Sequence, residues 1–239
     1  MEPVLIVTVQ GPVASFRRPL DHNYQRTFPM PPPTTLKGIA GAALGLSDRE
    51  LWRPKSPVHR LRVSVWMEST PGRARDLWTV LKVAGSTIKA RSPYFRELLF
   101  FTRYTLLYGG ERALLEELER AFWDPAYPLS LGREDELLWV EGVRLVEAQP
   151  GKPRFRGTLL PGDVRPSARL VSLEPGVTFE PPIVETLPLA FAVDARGVRR
   201  PEASMPVSFL SLGVELEVPG LTAWEWEGRA WAWIGSGGE

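Results

Sequence analysis

Hydrophobic periodicity along the chain runs strand, helix, strand, strand, helix, strand. This order predicts an α+β protein built on a ferredoxin-like (RRM-like) N-terminal domain. A break at Gln149-Pro150-Gly151-Lys152-Pro153 marks where that domain ends. Beyond it only short apolar runs between turn residues remain, so residues 150–239 are expected to form a small, mostly antiparallel β domain after a first domain of 1–149. A length of 239 residues suits one large domain or two small ones at about 100–200 residues each.

Pro3–Val9 (PVLIVTV) is a β-branched run of strand length, apolar throughout, and so is expected at the centre of a sheet. Gly11–Met30 is a basic, aromatic loop, and Pro29–Pro33 is stiff and extended. Thr34 or Thr35 is expected to cap a helix over Leu36–Leu46. Leu61–Glu68 alternates as a strand, with Leu77–Val83 and Leu98–Tyr108 as two more; the stretch near 67–97 is expected to be an insertion. Glu111–Phe122 is an amphipathic helix with Leu114, Leu115, Leu118, Ala121 and Phe122 on one face, and Trp139–Ala148 alternates again. Short strands are expected at Phe155–Leu160, Ala168–Leu173, Thr186–Val193, Val207–Leu212 and Val214–Val218. A final hairpin turning at Gly228-Arg229 would set Trp226 opposite Trp231 and Trp224 opposite Trp233, for packing on a core or an interface.

Apolar residues make up 44% of the chain, enough for a core. There is no cysteine, which removes disulfides and thiolate metal sites and fits a reducing cytoplasm. The N-terminus has no basic region followed by a long apolar run, so neither a signal peptide nor a membrane partner is expected. The net charge of +1 hides an asymmetry: residues 1–109 carry 16 Lys and Arg against 7 Asp and Glu, and residues 110–239 carry 13 against 21. A basic half of this kind suits a polyanion; ordinary surface ion pairing is the alternative. Arginine outnumbers lysine 24 to 5, and guanidinium forks suit phosphate and stack on bases.

Gly38, Gly41 and Gly45 fall along one stripe of the first helix, each costing about 1 kcal/mol relative to alanine. That cost suggests the close approach of another backbone, from this chain or from a nucleic acid. Thr34, Thr35 and Lys37 crowd the helix N-terminus, where free N–H groups favour phosphate. The sequence Phe28-Pro-Met-Pro-Pro-Pro-Thr-Thr-Leu-Lys-Gly-Ile-Ala-Gly-Ala-Ala-Leu-Gly45 resembles the first helix of the CRISPR-associated Cas-five family, in the RAMP superfamily. Ser15-Phe16-Arg17-Arg18-Pro19 is similar to that family's Phe-Arg-x-Pro lead-in, and Tyr127-Pro-Leu-Ser-Leu-Gly132-Arg133 to its Pro-Leu-x-Leu-Gly-Arg signature. The three motifs, in order, cover roughly residues 1–140.

The resemblance implies a non-catalytic subunit of a type I Cascade complex that holds the 5′ handle of crRNA. It implies contact with the backbone subunit and the large subunit, in a hetero-oligomer for antiviral defence. Arg17, Arg18, Arg26, Lys37 and Arg133 are the candidates for fixing phosphates, with Thr34 and Thr35 beside them. Tyr24, Phe28 and Tyr104 are candidates for stacking bases, and His22, Lys89, Arg91 and Arg103 complete the RNA-binding set. For each arginine the alternative is a solvated charge, and for each aromatic, core packing.

One branch of the family cuts crRNA precursors with a Tyr–Lys–His arrangement. Here the Lys-His pair is missing, since Lys89 has no histidine beside it; His22 is the one candidate base if the chain cuts RNA, and His59 reads as a loop residue. HExxH, GxxxxGK[ST] and CxxC are absent, so no cofactor or metal is expected, and Glu134-Asp135-Glu136 reads as a solvated loop.

Overall fold

In the computed structural model, which describes residues 1–235, the run Pro3–Val9 lies inside β1 (Glu2–Ala14). Leu5, Val7 and Val9 point to one face of the sheet and Val4 and Ile6 to the other, and all five are buried. That is why the run is apolar at every position. β1 is longer than its apolar core because Gly11–Ala14 goes on pairing with residues 99–102.

Apart from its short helices the chain is mostly β. β5 (Thr87–Gly109) pairs antiparallel with β1 along one edge; on the other edge its C-terminal part takes β3 (Arg62–Met67) and its N-terminal part β4 (Gly72–Ala84). β6 (Trp139–Pro150) pairs with the far edge of β1. The central order is therefore β6-β1-β5-β3, with neighbours antiparallel. α1 (Pro33–Ala43) comes before β3, and α3 (Arg112–Trp123) links β5 to β6; between them lies the short α2 (Asp48–Leu51). Leu36 and Ile39 of α1 and Leu115, Leu118 and Phe122 of α3 close one face of the sheet over Leu5, Val7, Val63, Leu106 and Tyr108. Among the described residues no helix is long and apolar enough to cross a membrane.

The region expected as an insertion is an arm: β4 and the first half of β5 form a long hairpin, and residues 81–91 at its end are all exposed. β2 (Tyr24–Gln25) lies parallel against the base of this arm, opposite Phe95 and Arg96.

α1 begins earlier than expected. Pro33 occupies its first turn after an extended Pro32, and no side chain caps it. Proline fixes φ at a helical value and has no N–H to leave unpaired, so here it starts the helix in place of a threonine cap. Two of the three glycines have reasons within the chain. A Cβ on Gly41 would sit 2.8 Å from Leu51 Cδ1, and Gly45, at φ +74°, ends the helix. A Cβ on Gly38 would meet nothing within 4 Å.

Beyond Pro150 the chain forms β7 (Arg154–Arg156), β8 (Leu159–Pro161), β9 (Arg169–Leu173), β10 (Ile183–Val193), β11 (Arg199–Phe209) and β12 (Val214–Glu217). They make two three-stranded sheets, β10-β11-β8 and β7-β12-β9. The first adds to the core under the helices: Phe209 stacks on Phe28, with ring centres 4.4 Å apart and planes within 2°.

β13 (Trp224–Trp226) and β14 (Arg229–Trp231) then return to the large sheet, where β13 pairs with β6. The turn falls one residue before the expected one. Glu227 and Gly228 both have positive φ, at 48° and 76°, so they form the two-residue turn that matches strand twist. Trp224 consequently faces Trp231, and Trp226 faces Arg229. Trp231 is fully buried beside Trp66, Val4, Ile6 and Leu107, so the hairpin covers the sheet face opposite the helices.

Candidate functional site

The segment after β1 folds back on itself. Phe28 N donates to Phe16 O at 2.8 Å, Arg18 N donates to Arg26 O at 3.0 Å, and Phe16 N donates to Thr27 Oγ1 at 2.8 Å. Buried Phe16, edge-on to Tyr104 at 6.0 Å, anchors this loop. The fold-back sets Arg17, Arg18 and Arg26 side by side. Arg26 is tied to Asp21 at 2.9 Å, and that guanidinium holds the Asp21 carboxyl below the usual carboxylate range.

The Leu131-Gly132-Arg133 turn is clasped onto the same loop. Glu136 accepts from Ser15 N at 2.7 Å, Ser15 Oγ at 2.6 Å and Arg133 N at 3.1 Å. Burial pushes the Glu136 pKa up against the downward pull of these donors. Gly132 is required where it stands: its φ is +111°, and a Cβ would lie 2.0 Å from Ser15 O. Glu136 is therefore not part of a solvated loop. It is the buried pin that holds two distant motifs together.

Between these elements, the N-terminus of α1, the base of the arm and β10 lies a cleft of about 840 Å³. Arg17, Arg18, Arg26, Arg96 and Arg133 line it, against Glu97 and Glu134. Thr34 and Thr35 reach it from α1, and Trp78 from β4. Arg18 lies over the Phe28 ring at 5.3 Å, and its Nε is buried with no hydrogen-bond partner. Trp78 Nε1 is also buried without a partner. Both orphaned groups can only donate, and neither Glu97 nor Glu134 accepts from them.

The cleft thus gathers Arg17, Arg18, Arg26, Thr34, Thr35 and Arg133 from the candidate set. Others stand apart. Tyr24 is on the edge of the arm, donating its hydroxyl to Glu97 Oε1 at 2.9 Å, and His22 is exposed at the tip of the folded-back loop. Lys89 and Arg91 lie near the arm's far end. Arg103 pairs with Glu141 at 2.6 Å; its neighbour Tyr104 faces the core, so Arg103 faces the opposite side of the sheet.

Three candidates are corrected by burial. Tyr104 is fully buried and donates to Pro29 O at 2.8 Å, and Phe28 is locked against Phe209, so neither ring can take a base. Lys37 is 3% exposed and donates from Nζ to His59 O at 2.6 Å; desolvation lowers its pKa to about 8. The candidate set omits Trp78, Arg96 and Glu136. The alternation of Asp76, Trp78 and Val80 along β4 would have placed Trp78 on one arm face, but nothing in sequence tells which face meets the cleft.

The sequence model of a family described as CRISPR-associated protein (Cas_Cas5) matches residues 4–179. No curated protein matches the chain. In structure it is similar to a chain of a CRISPR RNA-guided surveillance complex, at 18% identity over 89% of this chain and 91% of that one, with a TM-score of 0.57. It is similar too to a CRISPR protein from Archaeoglobus fulgidus, at 15% identity over 98% of this chain and 100% of that one, again with a TM-score of 0.57. At such identities the two structures show a shared fold. Since the family match runs from the first strand through the folded-back loop, the arm and the Leu-Gly-Arg turn, the chain belongs to the CRISPR-associated Cas5 family.

Proposed function

We propose that the chain is an RNA-holding subunit of a type I CRISPR effector complex, and that the cleft grips the 5′ handle of crRNA without cutting it. The observation that carries this is the cleft's chemistry: five guanidiniums and two buried donors with no partner. Five guanidiniums against two carboxylates favour a ligand that is anionic and rich in acceptor oxygens, as an RNA backbone is. The central order β6-β1-β5-β3 supports reading the N-terminal sheet as ferredoxin-like, a frame shared with RNA-recognition folds. Assembly with a backbone subunit and a large subunit is part of the same reading, supported by family membership and by the likeness to a surveillance-complex chain.

A holding role fits the placement of the groups that cleavage would need. His22 adjoins Asn23, whose carbonyl accepts from Phe95 N, while Lys89 lies six residues farther out on the same strand. At about 3.3 Å per residue, roughly 20 Å of strand separates them. Lys37 is buried against His59 O and faces no solvent.

The test is to incubate the full chain with a single-stranded, repeat-derived RNA without metal. The expected result is intact, bound RNA, with log K falling against log salt by about 0.7 per phosphate contacted. Arg18→Ala is expected to weaken binding on the order of tenfold, through loss of a charged hydrogen bond. Binding indifferent to salt contradicts the reading. Site-specific cleavage that disappears in His22→Ala replaces it with a metal-independent endoribonuclease.

A further inference from the structure

Besides the pairing of β2 with its base, the arm meets the Leu-Gly-Arg turn through one side chain, Trp78. Trp78 projects from β4 on the same arm face as Asp76 and Val80, the half-buried side that meets the cleft. Two guanidiniums lie over its ring: Arg96, from the paired strand, at 4.6 Å, and Arg133, from the Leu-Gly-Arg turn, at 4.4 Å. Each is braced from behind by a carboxylate. Arg96 Nε donates to Asp76 at 2.8 Å and Arg133 Nε to Asp135 at 3.3 Å. With two cations already over it, the indole is not a free platform for a base. Its N–H edge is buried and has no hydrogen-bond partner.

Arg133 therefore belongs to two structures at once. Its backbone N–H is pinned by Glu136 in the clasp under the cleft, and its guanidinium rests on the arm. We propose that Trp78 is a positioning residue that couples the arm to the cleft: it aims Arg133 into the cleft and, through the same contact, sets the orientation of the arm. A polyanion that engages Arg133 then changes how firmly the arm is held, and displacing the arm moves Arg133. The coupling to a ligand rests on the RNA-holding reading; the joint itself does not.

Loss of a cation–π contact of this kind is enough to shift a local opening equilibrium severalfold. The test is amide hydrogen exchange on the full chain, first without RNA, in wild type, Arg133→Ala, Trp78→Ala and Trp78→Phe. Exchange over residues 76–80 and 92–96 is expected to rise on the order of fivefold in each alanine variant. In the double variant it should rise no further than in Trp78→Ala, which already removes the Arg133 contact along with that of Arg96. Trp78→Phe keeps a ring face under the guanidinium and is expected to stay at the wild-type rate. Rates in β1 and β3 should not change; a general loss of stability would raise them with the arm.

Unchanged arm exchange in Arg133→Ala, or a multiplicative increase in the double variant, overturns the joint. With single-stranded RNA added, arm exchange is expected to shift in wild type and Trp78→Phe but not in Trp78→Ala. An equal shift in Trp78→Ala overturns the coupling. The RNA-free measurement decides the joint alone, so a failure of RNA to bind would count against the RNA-holding reading and not against Trp78.

Discussion

Lys37, one turn into α1, has its ammonium on His59 O at 2.6 Å, and burial brings its pKa from 10.5 down to about 8. Below pH 8 it is charged in both folded and unfolded chains. Between about 8 and 10.5 the folded chain has lost the proton that the unfolded chain still binds, so this group's contribution to stability rises with pH across that window. Lys37→Met is expected to be more stable than wild type at pH 7, by on the order of 2–3 kcal/mol, with the gap closing toward pH 10.5. Urea unfolding at several pH values checks this, and a gap that does not change with pH would show that burial is not the cause. Gly38→Ala is the complementary case. Its Cβ meets nothing within 4 Å, so the helix should gain about 1 kcal/mol in the same unfolding measurement. At this scale the sequence showed which residue types cluster but not which way they point. Tyr104 shares its phase along β5 with buried Leu106 and Tyr108, and that alternation was the available sign that it belongs to the core.

At the scale of elements, periodicity placed most strands and both long helices, because each has one face to bury. Departures occur where pairing or turn geometry decides the structure. β5 runs to 23 residues because its exposed half is held by β4, and no hydrophobic period marks that half. The last hairpin turns at Glu227-Gly228, and a one-residue shift in the turn changes every cross-strand pair. The clasp between the folded-back loop and the Leu-Gly-Arg turn was visible only as two motifs. Residues 15 and 136 are 121 positions apart, and nothing local announces that one carboxylate joins them. Glu136→Ala leaves two backbone N–H groups without an acceptor and is expected to cost about 2–4 kcal/mol by chemical denaturation. Glu136→Gln can accept from both N–H groups through its oxygen and donate to Ser15 Oγ through its amide, so it should cost far less. Equal losses in the two variants would show that the charge holds the clasp, not the hydrogen bonds.

For the whole molecule, the excess of basic residues before 110 does correspond to a surface: Arg17, Arg18, Arg26 and Arg96 line the cleft. Its far wall was not legible. Leu187, Pro188, Phe191 and Pro201 complete the cleft from a region read only as short strands and turns. The acidic half therefore supplies mainly apolar wall to a basic site, and composition alone cannot express that division. The most direct test of the RNA-holding reading is to photo-crosslink a single-stranded RNA to the full chain and map the attached peptides. Crosslinks are expected at 15–28, at the base of the arm around Trp78 and Arg96, and at 130–134. Crosslinks confined to the opposite sheet face, around Arg103 and Trp139, would contradict it.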